Sequence, residues 1–388
     1  MKNLVVFYTY LFLSAHFHLL ETYETTESSD FNTLQSENSE VDSTILKLKE
    51  TISQLGKLKD VEFVVTLILG SLAVASNILI LVVTVHYKFI GIAQVYMTVL
   101  AICDLCIGIF SSWRLIADRV YYWSDGLFHF CAYTYWPVSG LEAGASTTAS
   151  LIAMTLSVDR CFACKYPVKH AEVCSVRKAK VLSVVVGLLS FVIGLNYPLR
   201  IKVIKRMSNE LNMVPSVFTT LGQDPTFVKV SAYTEFFFRF AVPFAVMTVA
   251  NTWTIAIIRK SDMFRRSMDK ETRSAVNTPK CLTMTVGLVI IFFITQLPKA
   301  AFLLDSMIFS RAHRGTIPFE TFVIFGNIFT RFNSVVNIFV YLSLNKEFRC
   351  TLIKVLKVCK TTNVEISTMA TASTQTKDKQ EDPVPSTV

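Results

Sequence analysis

Seven apolar segments of spanning length follow one another along this chain, at about 61–85, 93–115, 134–158, 180–199, 230–258, 281–304 and 317–343. Crossing a bilayer core takes ~20 helical residues. The pattern therefore confines the chain to an all-α membrane protein, a seven-transmembrane helix bundle. Composition agrees, since 52% of the 388 residues are hydrophobic and only 17% charged, with a mean hydropathy of +0.46. That balance belongs to a polytopic membrane protein rather than a soluble globule. The formal net charge of +9 does not indicate nucleic-acid binding, because of where the charge lies. From Arg160 to Lys180 there are six Lys/Arg and one acid, and from Arg259 to Lys280 seven Lys/Arg and three acids. Basic clusters in short loops beside spans mark the cytoplasmic side. The N-terminus is then outside and the C-terminus inside.

The third segment, in the stretch Tyr133 to Val168, is the most informative. Glu142 stands near one end and the pair Asp159-Arg160 at the other. Eighteen residues separate Glu142 from Arg160, five helical turns and roughly 27 Å of axis, so both lie on one face. Ser146, Ala149 and Ala153 line that face between them, small residues that let neighbouring helices come close. Lipid-facing charge is costly, and the arrangement places this helix in the interior of the bundle.

The ends carry lighter signals. Residues 1–20 have one Lys and an apolar run from Leu4 to Ala15, as in a cleavable signal peptide; a retained apolar N-terminus is the alternative. Residues 21–60 form an extracellular tail. Its first part, 21–44, carries seven acids and no Lys/Arg, a disordered composition, and 45–58 has helical apolar spacing. After the seven spans at 61–343, residues 344–360 read as an amphipathic eighth helix on the inner leaflet. Cys350 and Cys359 are placed there for palmitoylation, with two plain cytosolic thiols as the alternative. The tail 361–388 is polar and disordered by composition. Its last residues, with Ser386 two before Val388, have the form a PDZ groove reads. Cys103 and Cys106 fall inside a span and read as packing residues. Cysteine spacing suggests no metal site, and Cys131 alone is placed near the outer surface.

Polar residues punctuate the spans in a recognisable order. Asn77 lies in span one, Asp104 in span two, Asp159-Arg160 at the end of span three, and Pro198, Pro243 and Pro298 in spans four to six. In span seven, Ser334, Asn337 and Tyr341 of NSVVNIFVY share one face. Over 61–350 this layout resembles the rhodopsin-like (class A) G-protein-coupled receptors. DRC at 159–161 is similar to their DRY triplet, NIFVY at 337–341 to NPxxY, and NKEFR at 345–349 to the start of the eighth helix. The runs DRCFACKYPVKH, CSVRKAK, FFITQLP and NSVVNIFVYLSLNKEFR look most like invertebrate FMRFamide-type neuropeptide receptors. Some family positions differ: Ile338 replaces the NPxxY proline, Gly187 the span-four Trp, Gln296 the Trp before Pro298, and Asn251 a span-five Tyr. The second outer loop, 200–229, has no Cys to bridge to span three.

The resemblance implies a plasma-membrane receptor that passes ligand binding to a heterotrimeric G protein, and no enzyme. Asp159, Arg160, Asn337 and Tyr341 would form the coupling switch. Asn77, Asp104, Asn333 and Ser334 would form a polar core around a bound sodium ion, although Ala149 stands where span three often adds a Ser. No other cofactor is implied. Arg114, Glu142, Glu235, Arg239, Gln296, Lys299 and Arg331 would line the ligand pocket, with Glu142 and Arg331 expected to pair. For Arg114 and Lys299, snorkelling to the outer headgroups is the alternative to a ligand contact. Basic outer-loop residues (Arg200, Lys202, Lys205, Arg206, Arg311 and Arg314) would steer an anionic ligand or receive the acidic tail as a lid. The expected partners are an extracellular short peptide and a G protein, with arrestin and a PDZ protein at the tail. A small amine or chemosensory ligand is the alternative within the receptor class. A secondary transporter is the alternative outside it, disfavoured because no internal repeats are present. No G-x-S-x-G or H-E-x-x-H motif points to catalysis.

Overall fold

The computed structural model describes residues 31–86, 91–120, 124–203, 216–268, 279–308 and 316–356, apart from 345 and 347. The expectations for the signal peptide, Lys205, Arg206, Arg311, Arg314, Cys359, Ser386 and Val388 fall outside these residues. Seven long helices follow the seven apolar segments. They are Phe31–Val85, Ile92–Val120, Asp125–Lys165, Val176–Gly194, Pro225–Phe236 continuing through Phe237–Ala241 into Val242–Met268, Pro279–Ile308, and Ile317–Leu344. Among the described residues, five are long and apolar enough by themselves to cross a membrane. The third falls short because Gly, Ala, Ser and Thr replace large apolar residues along its middle. Its role is contact: it lies against the second, fourth, fifth and sixth helices. The first packs on the second and seventh, and the seventh on the sixth, which closes a ring around the third.

The bundle is apolar on the outside. On the fourth helix Val184, Leu188 and Val192 are 61%, 64% and 65% exposed, which only a lipid surround makes favourable. The inner face of the same helix carries Ser183, Ser190 and Gly194, all buried. At Gly194 the third and fourth helices nearly touch. A Cβ added there would lie 2.3 Å from the Gly140 carbonyl oxygen, and one added at Gly140 would lie 2.7 Å from the Gly194 oxygen. Without a hydrophobic force between helices in lipid, such close backbone approach is a main source of association.

Two prolines shape the outer half. Pro243 has no N–H to close an α-helical turn, and the turn before it, Phe237–Ala241, is a π-helix in which Val242 N–H reaches Phe237 O. The fourth helix breaks at Leu195 and resumes as Asn196–Arg200, which contains Pro198. Beyond it, β1 (Ile201–Val203) pairs antiparallel with β2 (Ser216–Phe218), Lys202 opposite Val217. This hairpin is the only sheet among the described residues.

The N-terminal region corrects one expectation. The stretch 31–44, expected to be disordered, is helical, and one helix of 55 residues runs unbroken from Phe31 through the first span. Nucleation is the costly step in helix formation. A membrane helix already in place lets the turns propagate outward through a stretch that has no Gly or Pro to stop them. At the other end, residues 348–356 are helical. Phe348 is fully buried and its ring lies 5.8 Å from that of Tyr341. Arg349 donates to the carbonyls of Leu342 (2.9 Å) and Ser343 (2.7 Å), satisfying acceptors that a helix end leaves open. Ile353 and Leu356 face outward, and Cys350 is exposed beside them.

The glycine contact yields a test with its own control. Gly194→Leu forces backbone atoms apart, and overpacking of a tight core costs at least about 1–3 kcal/mol. Gly187 on the same helix has open space around it, so Gly187→Leu should be neutral. Thermal melting of the purified variants in detergent should show a lowered midpoint and poor yield for Gly194→Leu alone.

Candidate functional site

Three polar centres occupy the bundle, one toward each end and one midway. Toward the outer end, by the basic-loop topology, Arg114 of the second helix reaches Glu142 of the third, Nη1 to Oε2 at 2.6 Å, with its guanidinium 5.4 Å from the Tyr135 ring centre. On the fifth helix, Glu235 and Arg239 stand one turn apart, so both lie on one face, and Arg239 Nη1 donates to Glu235 Oε1 at 2.8 Å. The side chains are 6% and 7% exposed. Tyr197, after the break in the fourth helix, donates its hydroxyl to Glu235 at 3.2 Å. Lys299 of the sixth helix donates to Asn327 Oδ1 (2.9 Å), and Asn327 Nδ2 to Glu62 of the first helix (3.0 Å). Glu62 also takes Lys59 at 3.1 Å. Arg331 is buried, and its Nε makes no hydrogen bond.

The expected Glu142–Arg331 pair therefore takes a different form. Glu142 feels the charge of Arg331, but the ion-pair contact belongs to Arg114. A guanidinium on a long stem crosses from the neighbouring second helix, and a carboxylate held by one bidentate-capable cation has less to offer a second. Arg114 and Lys299 both turn inward to protein partners rather than outward to headgroups. Arg331 is left as a buried cation with no carboxylate at ion-pair distance among the described residues.

Midway along the bundle lies a cavity of about 40 Å³, lined by Asp104, Ser146, Ala149, Gln296, Asn333, Ser334 and Asn337. The stripe Ser146, Ala149, Ala153 of the third helix faces into it. Asp104 is fully buried and accepts from Asn337 Nδ2 at 2.6 Å through one oxygen, while its other oxygen has no hydrogen-bond partner. Ser334 Oγ lies beside this carboxylate but outside hydrogen-bond geometry. Thr295 donates to Asn333 at 3.0 Å. Two sequence expectations shift here. Asn77 does not touch Asp104: its Nδ2 donates to the carbonyls of Ala73 (2.8 Å) and Ser334 (2.9 Å), tying the first helix to the seventh. Gln296, expected in the ligand pocket, lines the Asp104 cavity with Oε1 unpartnered. The cavity exceeds the ~10–15 Å³ that one water needs. Its donors are all oxygen or amide groups, with an unshared carboxylate oxygen among them, which suits a hard monovalent cation.

At the inner end Arg160 Nε donates to the carboxylate of Asp159 at 3.0 Å. The other oxygen of Asp159 meets His170 Nε2 at 2.9 Å. His170 rides on the short helix Pro167–Val173, which Pro167 opens at a position where its missing N–H costs nothing. Sequence reasoning missed His170, Glu62, Asn327 and Tyr197. Glu62 follows Asp60 at the edge of an apolar run, where a charge ordinarily marks only the water interface. His170 is eleven residues from Asp159, and only the turn at Lys165–Pro167 returns it to the third helix.

A closed seven-helix membrane bundle with these three polar centres is the architecture of a transmembrane receptor. The family model of the 7 transmembrane receptor (rhodopsin family) matches residues 76–341, more than half of the chain. The chain belongs to that family, and is accordingly a multi-pass membrane protein and a signalling receptor. No curated protein matches the chain.

The ion pair is open to a double-mutant cycle. Removing one partner of a buried pair costs about 3–5 kcal/mol; Arg114, 31% exposed along its side chain, belongs at the low end. Arg114→Ala and Glu142→Gln should each lower thermal stability, and the double variant should fall well short of their sum. The cycle of Glu142 with Arg331 should show the weaker coupling.

Proposed function

We propose that the protein is a plasma-membrane receptor for a short peptide, signalling through a heterotrimeric G protein, with its N-terminus outside. The observation that carries this reading is the mixed charge of the outer half: the buried Glu235–Arg239 pair, the partly buried Arg114–Glu142 pair, a Lys–Asn–Glu chain, and the buried Arg331, which has no carboxylate contact among the described residues. A peptide presents amide donors, carbonyl acceptors and side-chain charge along one length, and this cluster has complements for each. Arg331 is the natural donor to a ligand carbonyl or carboxylate. A small amine is less well served, since its expected counter-ion, Glu142, is already held by Arg114. Resemblance in DRCFACKYPVKH and NSVVNIFVYLSLNKEFR to FMRFamide-type neuropeptide receptors points the same way.

In this reading the ligand competes for Arg331 and loosens the Arg114–Glu142 contact, and the third helix carries the displacement. At the inner end Arg160 leaves Asp159 and meets the G protein, while Asn337 and Tyr341 hold the seventh helix. Asp104, Ser334, Asn333 and Asn337 would hold a sodium ion, which supplies positive charge to the buried carboxylate. Cys350 is exposed to a palmitoyl donor, and the tail would serve arrestin and a PDZ protein.

A second-messenger assay in transfected cells against a library of amidated peptides tests the reading. A response is expected, and Arg160→Ala should abolish it at matched surface expression. Proton- or sodium-driven uptake without G-protein activation would overturn it. The sodium site has a ligand-free test in the melting of purified protein in sodium against N-methylglucamine. Sodium should raise the midpoint of the wild type and leave that of Asp104→Asn unchanged, because an ion stabilises only the state that binds it.

A further inference from the structure

The inner end holds a group of side chains that the receptor reading does not use together. Asp159, His170 and Cys174 place one carboxylate oxygen, one imidazole nitrogen and one sulfur within 4.8 Å of one another. Among the described residues this is the one place where three such ligands converge. We propose that it is a binding site for a borderline divalent transition metal, zinc being the class best suited.

The convergence follows from local structure. His170 and Cys174 are four residues apart, and Cys174 N–H bonds to His170 O as the cap of the Pro167–Val173 helix. Their side chains therefore leave the same face, one turn apart. Asp159 comes from the end of the third helix and already meets His170 Nε2. His170 and Asp159 are 15% and 6% exposed at the side chain, and Cys174 is half-buried. Tyr96 of the second helix is buried against the group and faces Asp159 and Cys174. The three ligand atoms are thus partly sheltered from solvent.

Imidazole with thiolate selects zinc-like metals over calcium or magnesium, which take oxygen ligands. Zn–N and Zn–O bonds are about 2.0–2.2 Å and Zn–S about 2.3 Å, so ligand atoms gathered this closely need only small rotations to close on one ion. Three protein ligands leave a fourth, tetrahedral position for water. Binding releases the Cys174 thiol proton to solvent. Neutral His170 offers the Nε2 lone pair and keeps its ring proton on Nδ1. The basic-loop topology places the site in the reducing cytosol, where the thiol stays available. Asp159 keeps one oxygen for Arg160 while the metal takes the other. The ion then fastens the loop helix to the third helix beside the residue that must move for coupling.

The test is direct metal binding by the full chain in lipid nanodiscs, so it does not depend on the ligand or on G-protein coupling. Titration with cobalt(II) should produce a thiolate-to-metal charge-transfer absorption in the near ultraviolet, and zinc should displace it. Loss of a group that only hydrogen-bonds a metal ligand costs roughly 10–100-fold in affinity, so loss of a ligand itself should cost at least about 100-fold. Cys174→Ser and His170→Asn should each show that loss while melting like the wild type without metal. A wild type that gives no band overturns the proposal. So does a band that survives Cys174→Ser at unchanged affinity, since it then belongs to another cysteine. If one variant fails to fold, the other decides by the same criterion.

Discussion

A charged or strongly polar group inside a bilayer has no water to turn to, and a lone charge at the centre of a span costs several kcal/mol. In this bundle many such groups find a partner on another helix. Arg114 joins the second helix to the third, and Asp104 with Asn337 joins the second to the seventh. Asn77 joins the first to the seventh, and Tyr197 with Glu235 joins the fourth to the fifth. Lys299, Asn327 and Glu62 run from the sixth through the seventh to the first. The contacts that remove the penalty of burial also fix how far each helix is turned and slid against its neighbour. Apolar packing in lipid is weakly directional by comparison. Registration of the bundle thus depends on these polar links.

The third helix makes the links geometrically feasible. Its small residues bring the fourth helix into backbone contact at Gly140 and Gly194, and on another face they leave the cavity at Asp104 unfilled. Larger residues at Ser146 or Ala149 would fill that space and bury the free carboxylate oxygen of Asp104 without a partner. The low hydropathy that makes this segment a poor spanning helix by itself is the same property that makes it the centre of the ring.

The spans and their order were legible because a bilayer imposes a length that no loop imitates, and because basic loops mark one side. The residues of the polar centres were legible too, since an ionisable side chain in an apolar run stands out. Their pairing was not. Glu142 was assigned to Arg331 on neighbouring positions along two helices, but contact depends on helix rotation and side-chain reach. Arg114, one helix over, has the reach. The family resemblance groups Asn77 with Asp104, yet its amide donates to the seventh-helix backbone. Glu62 sits at the edge of its apolar run, where a charge usually marks only water. The helical start at Phe31 was hidden for a different reason: composition reports what a segment does alone, and this one continues a helix already formed.

The two ends of the bundle hold their charges differently. The outer Arg114–Glu142 contact bridges two helices, so separating it disturbs their packing and exposes two desolvated charges. At the inner end Asp159 and Arg160 are neighbours in sequence, and their pairing ties no helices together. Separating them changes one side-chain rotamer and leaves the backbone where it is. His170 already meets the other oxygen of the carboxylate, so Asp159 has a contact that does not depend on Arg160. Arg160, 24% exposed at the side chain, can reach solvent or a protein partner without crossing lipid. The outer contact spans two helices, and the inner contact lies within one. Both lie on one face of one helix, so rotation of that helix moves them together.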